Sequence, residues 1–364
     1  MIEYSIHTIE LTSPIDSATY QRIQHILSQK KASVEKRPFE NIYKGIKKTS
    51  YTYRNLKMSG INSITLLTIE LMDDIPLKML LYIEVNPYDA IQDHPNTKAK
   101  IIKASLIRDA MLNIFHTLAS HLGKDIMNDL SLTLKRVDFC LNIKMKTEAI
   151  AETYISLLKK GIPTKSLSEV KVFNPSQHRM TAYNDSFLLK CNSYSFQIYS
   201  KYLQMCKKNL PGQEDAVGVV RFELRAEKSK LKQLAKKYCL PSPTGDMLGF
   251  LENTPQITKE EIPYLLSKIV GTGTLCKFSE LKSELEYTTF KKKDKKLMLD
   301  ISYYLSKHSS GEKLLDDLCL DYKDWRRILK KFNEIGCSPI PVPSRSTVNY
   351  YPGIDDWNYA MTLK

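Results

Sequence analysis

Apolar residues recur along this chain at two spacings, and the switches between them outline its elements. Residues 16–30 carry the 3.6-residue spacing of an amphipathic helix. Residues 64–71 and 77–85 read as strands, and Asp73, Asp74 and Pro76 between them predict a hairpin. Over 99–122, Ile102, Leu106, Met111, Ile114, Phe115 and Leu118 fall near one face of a predicted long helix. Residues 130–242 are rich in strands. Positions 132–143 alternate apolar and polar, 186–199 form a second extended stretch that runs into a helical segment, and 217–226 form a third, followed by a basic helix over 228–237. At Pro241-Ser242-Pro243-Thr244-Gly245 the character changes, and the C-terminal third reads as mainly helical until an irregular tail holding Pro339, Pro341, Pro343, Pro352 and Gly353. The expected fold is α/β of the α+β kind. An antiparallel-rich sheet domain spans 1–242, with an N-terminal α/β part over 1–125, and a mainly helical domain spans 246–364.

Within the strands, alternation lifts charged groups onto one face. In Arg136-Val137-Asp138-Phe139-Cys140-Leu141, the residues Val137, Phe139 and Leu141 point to one side and Arg136, Asp138 and Cys140 to the other. In Val220-Arg221-Phe222-Glu223-Leu224-Arg225, the residues Arg221, Glu223 and Arg225 share the polar side, and Tyr82-Ile83-Glu84-Val85-Asn86 raises Glu84 in the same way. If these strands neighbour each other, Asp138, Glu223 and Glu84 converge on a site whose hard oxygen ligands suit Mg²⁺ or Mn²⁺. The alternative is ordinary solvent-facing acids paired with Arg136, Arg221 and Arg225.

The segment from Tyr194 to Lys208 runs from strand into helix and contains Tyr199-Ser200-Lys201-Tyr202. A tyrosine at such a junction is held on a rigid element, and an adjacent lysine both binds phosphate and favours the phenolate. Attack on a phosphodiester leaves a 5′-phosphotyrosine and a free 3′-hydroxyl. The chain holds 21 tyrosines, so spacing alone leaves Tyr199 and Tyr202 both open.

Composition favours the same partner. The 364 residues include 54 Lys and Arg against 40 Asp and Glu, a formal charge of +14. That surplus suits nucleic acid, through phosphate neutralisation and counterion release. Hydrophobic residues at 42% and charged residues at 26% describe a globular chain with a sizeable core. Seven cysteines, none in a CxxC pair, indicate free thiols in a reducing compartment. The N-terminus lacks a signal-peptide pattern and no stretch approaches a membrane span, so a cytoplasmic location and no membrane partner are expected. The seven histidines are scattered with no His-apolar-His pair. GxxxxGK[ST], GxGxxG and GxSxG are all absent, which argues against nucleotide hydrolysis, dinucleotide binding and serine-hydrolase chemistry.

With these motifs in place, the chain resembles the gene II/X family of filamentous-phage replication proteins, which nick an origin to begin rolling-circle synthesis. Four segments carry the resemblance, in the family's order. They are Glu84-Val85-Asn86-Pro87 with Gln92-Asp93-His94-Pro95-Asn96, then Lys135-Arg136-Val137-Asp138, then Tyr199-Ser200-Lys201, then Val219-Val220-Arg221-Phe222-Glu223-Leu224-Arg225 with the basic helix and Leu240-Pro241. Pro95 departs from the family's histidine–asparagine turn, and the Val-Arg-Phe-Glu strand is the closest match. Trp325-Arg326-Arg327 running to Ile335-Gly336-Cys337 is similar to the family's last helix. A weaker likeness reaches staphylococcal-type plasmid initiators. The resemblance implies single-strand nicking and joining with Mg²⁺ or Mn²⁺, with Tyr199 as nucleophile in preference to Tyr202, Lys201 steadying the phosphate, Asp138 and Glu223 holding the metal, and Glu84 or His94 assisting. It implies double-stranded origin DNA, a displaced single strand, and a host helicase and polymerase as partners. Rival readings are a non-catalytic DNA-binding replication regulator and a conjugative relaxase.

In the C-terminal region, 312–319 and 321–336 read as two helices joined by a short turn. The second carries Lys323, Arg326, Arg327, Lys330 and Lys331 opposite Ile328, Leu329 and Phe332, a pattern that suits helix-turn-helix docking on duplex DNA or a solvated basic helix. Trp325 is expected in the core. Arg136, Arg221 and Arg225 are expected to line the path of the strand.

Overall fold

The computed structural model describes residues 2–41, 45–71, 76–91, 100–174, 179–182 and 186–357. In chain order the elements are β1 (Ile2–Ile15), α1 (Ser17–Ser28), β2 (Ser33–Asn41), β3 (Ile46–Arg54), β4 (Ile61–Leu71), β5 (Pro76–Val85), α2 (Ile107–Leu122), α3 (Lys124–Asp129), β6 (Thr133–Lys144), α4 (Glu148–Leu158), β7 (Ser168–Glu169), β8 (Lys171–Asn174), β9 (Arg179–Ala182), β10 (Ser186–Lys190), β11 (Tyr194–Ser200), α5 (Lys201–Lys207), β12 (Val219–Glu227) and α6 (Lys228–Lys237). They continue with α7 (Met247–Glu252), α8 (Thr254–Val270), β13 (Leu275–Cys276), α9 (Phe278–Glu286), α10 (Lys292–Lys307), α11 (Leu314–Asp317), α12 (Tyr322–Glu334) and β14 (Tyr350–Tyr351). The fold is mixed α/β, rich in antiparallel strands, with a mainly helical C-terminal part, as the patterning predicts. Among the described residues no helix is long and apolar enough to cross a membrane.

Contacts group the chain into two compact units that interleave along the sequence. One comprises Ser5–Cys140 and Arg225–Thr258; the other comprises Met1–Tyr4, Leu141–Leu224 and Lys259–Lys364. Residues of β1, β6 and β12 belong to both.

In the first unit the strands run in the order β2-β3-β4-β5-β1-β6. The pairings β2–β3, β3–β4, β4–β5 and β5–β1 are antiparallel. The register sets Leu11 of β1 opposite Ile83 of β5 and Glu10 opposite Glu84. The predicted helix over 16–30 is α1, which buries Tyr20, Ile23 and Leu27 and is capped by Asp16 accepting from the Thr19 backbone N–H. The predicted helix over 99–122 is shorter than its apolar spacing suggests. Lys103 holds extended backbone (φ −71°, ψ 143°) and a 3₁₀ turn at Ala104–Leu106 leads into α2. The 64–71 and 77–85 strands pair as expected. Asp73 and Asp74 of their link lie outside the described residues.

In the second unit the order is β6-β12-β11-β10-β7. The stretch 186–199 is not one strand but an antiparallel hairpin of β10 and β11, turned where the Cys191 backbone N–H bonds the Tyr194 carbonyl at 3.0 Å. Asn192 and Ser193, both common turn residues, sit in that reversal. The irregular tail is tied down. Tyr351 stacks on Tyr154 with centroids 5.5 Å apart, Trp357 meets Phe222 edge-on at 4.9 Å, and the Tyr154 hydroxyl donates to the Pro352 carbonyl at 2.8 Å. None of the seven cysteines, all of them among the described residues, forms a disulfide.

Alternation in β6 and β12 is as predicted, but its expected outcome is not. Val137, Phe139 and Leu141 are fully buried, and so are Cys140 and, at 1% exposure, Asp138. Arg221 is fully buried and Glu223 is 6% exposed. The second face of these strands is therefore covered at Asp138, Cys140, Arg221 and Glu223, while the Arg225 side chain stays 43% exposed.

Candidate functional site

The tyrosine segment is built by three local devices. Ser200 ends β11 and caps α5, its hydroxyl accepting from the Leu203 backbone N–H at 3.0 Å. The same hydroxyl donates to Glu148 of α4, whose other carboxylate oxygen accepts the Gly218 N–H at 2.7 Å. Glu148 thereby ties the β11–α5 junction to the entrance of β12. Gly218 sits at φ 75°, and a Cβ there would lie 2.6 Å from the Met145 carbonyl oxygen, so this approach requires glycine.

These devices place Tyr199 against Glu223. The Tyr199 hydroxyl donates to Glu223 Oε2 at 3.0 Å, and Tyr199 itself is 4% exposed. Tyr199 is thus buried and bonded to a carboxylate. Lys201, also buried, donates to Gln204 Oε1 at 2.8 Å. Tyr202 is half-buried, and its hydrogen bond with Cys206 pushes its pKa up. Arg221 turns to Asn142, its Nε donating to Oδ1 at 2.8 Å, while the Asn142 amide donates to Glu3 at 3.3 Å. Arg221 is enclosed in this network and does not line an open path.

The other predicted charges gather in the unit that contains Ser5–Cys140. Arg136 is the hub. Its Nη1 donates to Glu10 at 3.0 Å, its Nη2 donates to Glu84 at 3.0 Å, and its Nε lies 3.1 Å from Asp138 Oδ1 as a charge contact. Arg225 Nε donates to the same Asp138 oxygen at 3.2 Å, and Lys135 donates to Glu10 at 2.8 Å. Burial works against the Arg136 charge, but Asp138, Glu10 and Glu84 outweigh it and hold the guanidinium pKa above its ordinary value. Two members of these networks, Glu10 and Glu148, are absent from the sequence-based candidates. Glu10 carries a signal, since it alternates with Ile9 and Leu11 in an extended stretch. Glu148 carries none.

The carboxylates were expected to hold Mg²⁺ or Mn²⁺. Among the described residues there is no group of three or more His, Cys, Asp or Glu that could hold a metal ion. Asp138 and Glu84 already face guanidinium groups, and the three acids Glu10, Glu84 and Asp138 are matched by Arg136, Arg225 and Lys135. A set already neutralised in this way does not fit a cation cage. His94 lies outside the described residues.

In the C-terminal part α12 buries Trp325, Ile328, Leu329 and Phe332, as expected, and exposes Lys323, Arg326 and Lys330. Arg327 is engaged with Asp294 of α10 at 2.7 Å, and that hydrogen bond pulls the Asp294 carboxyl pKa down. The expected first helix over 312–319 is a single turn, α11, and the long neighbour bonded to α12 is α10. Next to Asp294, Lys295 donates to the Thr288 carbonyl at 2.8 Å, so the basic stretch 291–296 is partly structural.

No family model matches the chain, and no curated protein matches it. Among solved structures, the rolling-circle replication initiator protein from Geobacillus stearothermophilus is similar over 66% of this chain and 81% of its own, with 12% identity and a TM-score of 0.28. At that TM-score the likeness carries no argument.

Proposed function

We propose that this chain cleaves one strand of DNA by transesterification, with Tyr199 as nucleophile and Glu223 as the base that receives its proton. The observation that carries the reading is the 3.0 Å hydrogen bond from the Tyr199 hydroxyl to Glu223 Oε2. As the proton passes to Glu223, the phenol oxygen bonds to phosphorus and the bond from phosphorus to the 3′ oxygen breaks. The products are a 5′-phosphotyrosine and a 3′ oxygen that takes up a proton to become a hydroxyl. Lys201, next but one along the chain, supplies positive charge for the phosphate. Because Tyr199 is 4% exposed, the incoming strand must first uncover it.

The short motifs similar to the gene II/X family and the charge of +14 support initiation of rolling-circle replication at an origin, with double-stranded DNA and the displaced strand as ligands and a helicase and polymerase acting after the nick. No step of this reading runs through a cation, and the arms with and without Mg²⁺ or Mn²⁺ ask whether either ion is required.

The test incubates the protein with supercoiled DNA carrying its own replicon, with and without each cation. Open circles and a covalent protein–DNA adduct on a denaturing gel are expected. Tyr199→Phe abolishes the adduct, and Glu223→Gln slows its formation by about 10²-fold. Tyr202 is the more accessible hydroxyl, which favours it as a second reading. An adduct that survives Tyr199→Phe and disappears in Tyr202→Phe transfers the role to Tyr202. Binding without any open circle or adduct from the wild type sinks the enzyme and leaves a DNA-binding regulator.

A further inference from the structure

A second polar site lies in the unit that contains Lys259–Lys364. A cavity of about 570 Å³ is lined by Lys160, Lys277, Lys307, Arg345, Phe278 and Tyr303, together with three serines and the Pro341–Pro343 segment. No carboxylate is among its described lining residues. Four cations, serine hydroxyls and a pair of rings in one concavity fit a ligand that is anionic at one end and aromatic at the other. The rings are placed for this. Phe278 and Tyr303 meet edge-on with centroids 6.4 Å apart, Tyr303 remains 57% exposed, and Lys307 Nζ lies 5.4 Å from its centroid. Lys160 is anchored by donating to the Leu305 carbonyl at 2.7 Å, which fixes one charge at the wall. The cavity is also lined by Phe278 and Ser279, the first two residues of α9, whose positive end is partly offset by the Glu280 carboxylate that accepts the Lys277 N–H at 3.3 Å. A volume of this size suits a small ligand.

We propose that this cavity binds a nucleotide, with its phosphate against Lys277, Lys307 and Arg345 and its base on Tyr303. The nucleotide is either free or one unit of a single strand, and the two sources share this chemistry. The inference stands on this cavity alone and is independent of cleavage at Tyr199.

Calorimetry on the full chain at low salt, with adenosine monophosphate, adenosine, inorganic pyrophosphate and a 5′-phosphorylated thymidine dinucleotide as probes, tests it. The phosphate-bearing probes are expected to bind, and adenosine to bind at least about tenfold more weakly than its monophosphate. Lys307→Ala and Arg345→Ala each weaken the phosphate-bearing probes by about tenfold. Tyr303→Ala weakens the monophosphate by about fivefold and leaves pyrophosphate unchanged. These three side chains are exposed, so the variants retain the fold, which an unchanged Tm verifies. Tighter binding of the dinucleotide than the monophosphate, with the same sensitivity to the variants, assigns the site to a strand, and the reverse order assigns it to a free nucleotide. Absence of binding by every phosphate-bearing probe, indifference to all three variants, or equal losses for pyrophosphate and monophosphate on Tyr303→Ala each overturns the proposal.

Discussion

Glu10 and Glu84 sit directly opposite each other on β1 and β5, a placement that like charges destabilise. Arg136 resolves it by bridging both, and it also faces Asp138. Arg136→Ala would leave three carboxylates in a mostly buried cluster with only Lys135 and Arg225 against them, and is expected to cost about 3 kcal/mol in urea unfolding. If the cost is repulsion among the acids, adding Glu10→Gln and Glu84→Gln restores part of it; no recovery assigns the loss to packing instead. The Tyr199–Glu223 bond shows the same limit on what one strand reveals. Both residues stand out in the sequence, one as nucleophile and one as metal ligand. Their contact depends on which residue of β11 faces which residue of β12, and alternation within either strand carries no such information.

Among the elements, α1, β4, β5, β6, α5, β12 and α6 are legible in the sequence because each keeps one period for several turns or pleats. The 186–199 hairpin is not. Its turn interrupts an otherwise extended pattern, and Cys-Asn-Ser is a weaker marker than Asn-Gly. The polar faces of β6 and β12 escape a sequence reading for a different reason, since a charged face has the same pattern whether water or protein covers it. Helices also hold one another through contacts that titrate. Beyond the end of α1, the Lys30 ammonium donates to His121 Nδ1 of α2 at 3.2 Å, which requires that nitrogen to be unprotonated. Burial, and then the Lys30 charge, lower the His121 pKa below its ordinary 6.5. The neutral form is therefore favoured in the fold. Its stabilisation is complete above the unfolded pKa and is lost as pH falls through the folded one. Between pH 7.5 and 5.5 the wild type is expected to lose more Tm than His121→Gln; equal losses would place the pH sensitivity elsewhere.

For the whole molecule, the charge of +14 predicts DNA affinity that falls steeply with salt. The exposed Lys323, Arg326 and Lys330 on α12 lie opposite its buried Ile328, Leu329 and Phe332, which gives the C-terminal part a cationic ridge. Replacing each of the three by alanine is expected to reduce the slope of log K against log salt by about 1. Arg327→Ala should change the slope less and lower stability instead, because Arg327 is committed to Asp294. Slopes unchanged from the wild type in all four variants would show that α12 does not touch phosphate.

The sequence by itself determined the mixed α/β class, the strand-rich middle and helical C-terminal part, the basic charge, and a set of candidate residues. All of these come from composition or from periodicity, which are properties of a residue and its near neighbours. Only the tertiary structure decided who meets whom. Arg136 is 126 residues from Glu10 and 52 from Glu84, and Glu223 is 24 residues from Tyr199. Such partners are set by strand order, register and the covering of both faces of β6 and β12, which arise from packing over long sequence distances. The tertiary structure thus pairs Tyr199 with Glu223 and gathers Glu10, Glu84 and Asp138 around Arg136.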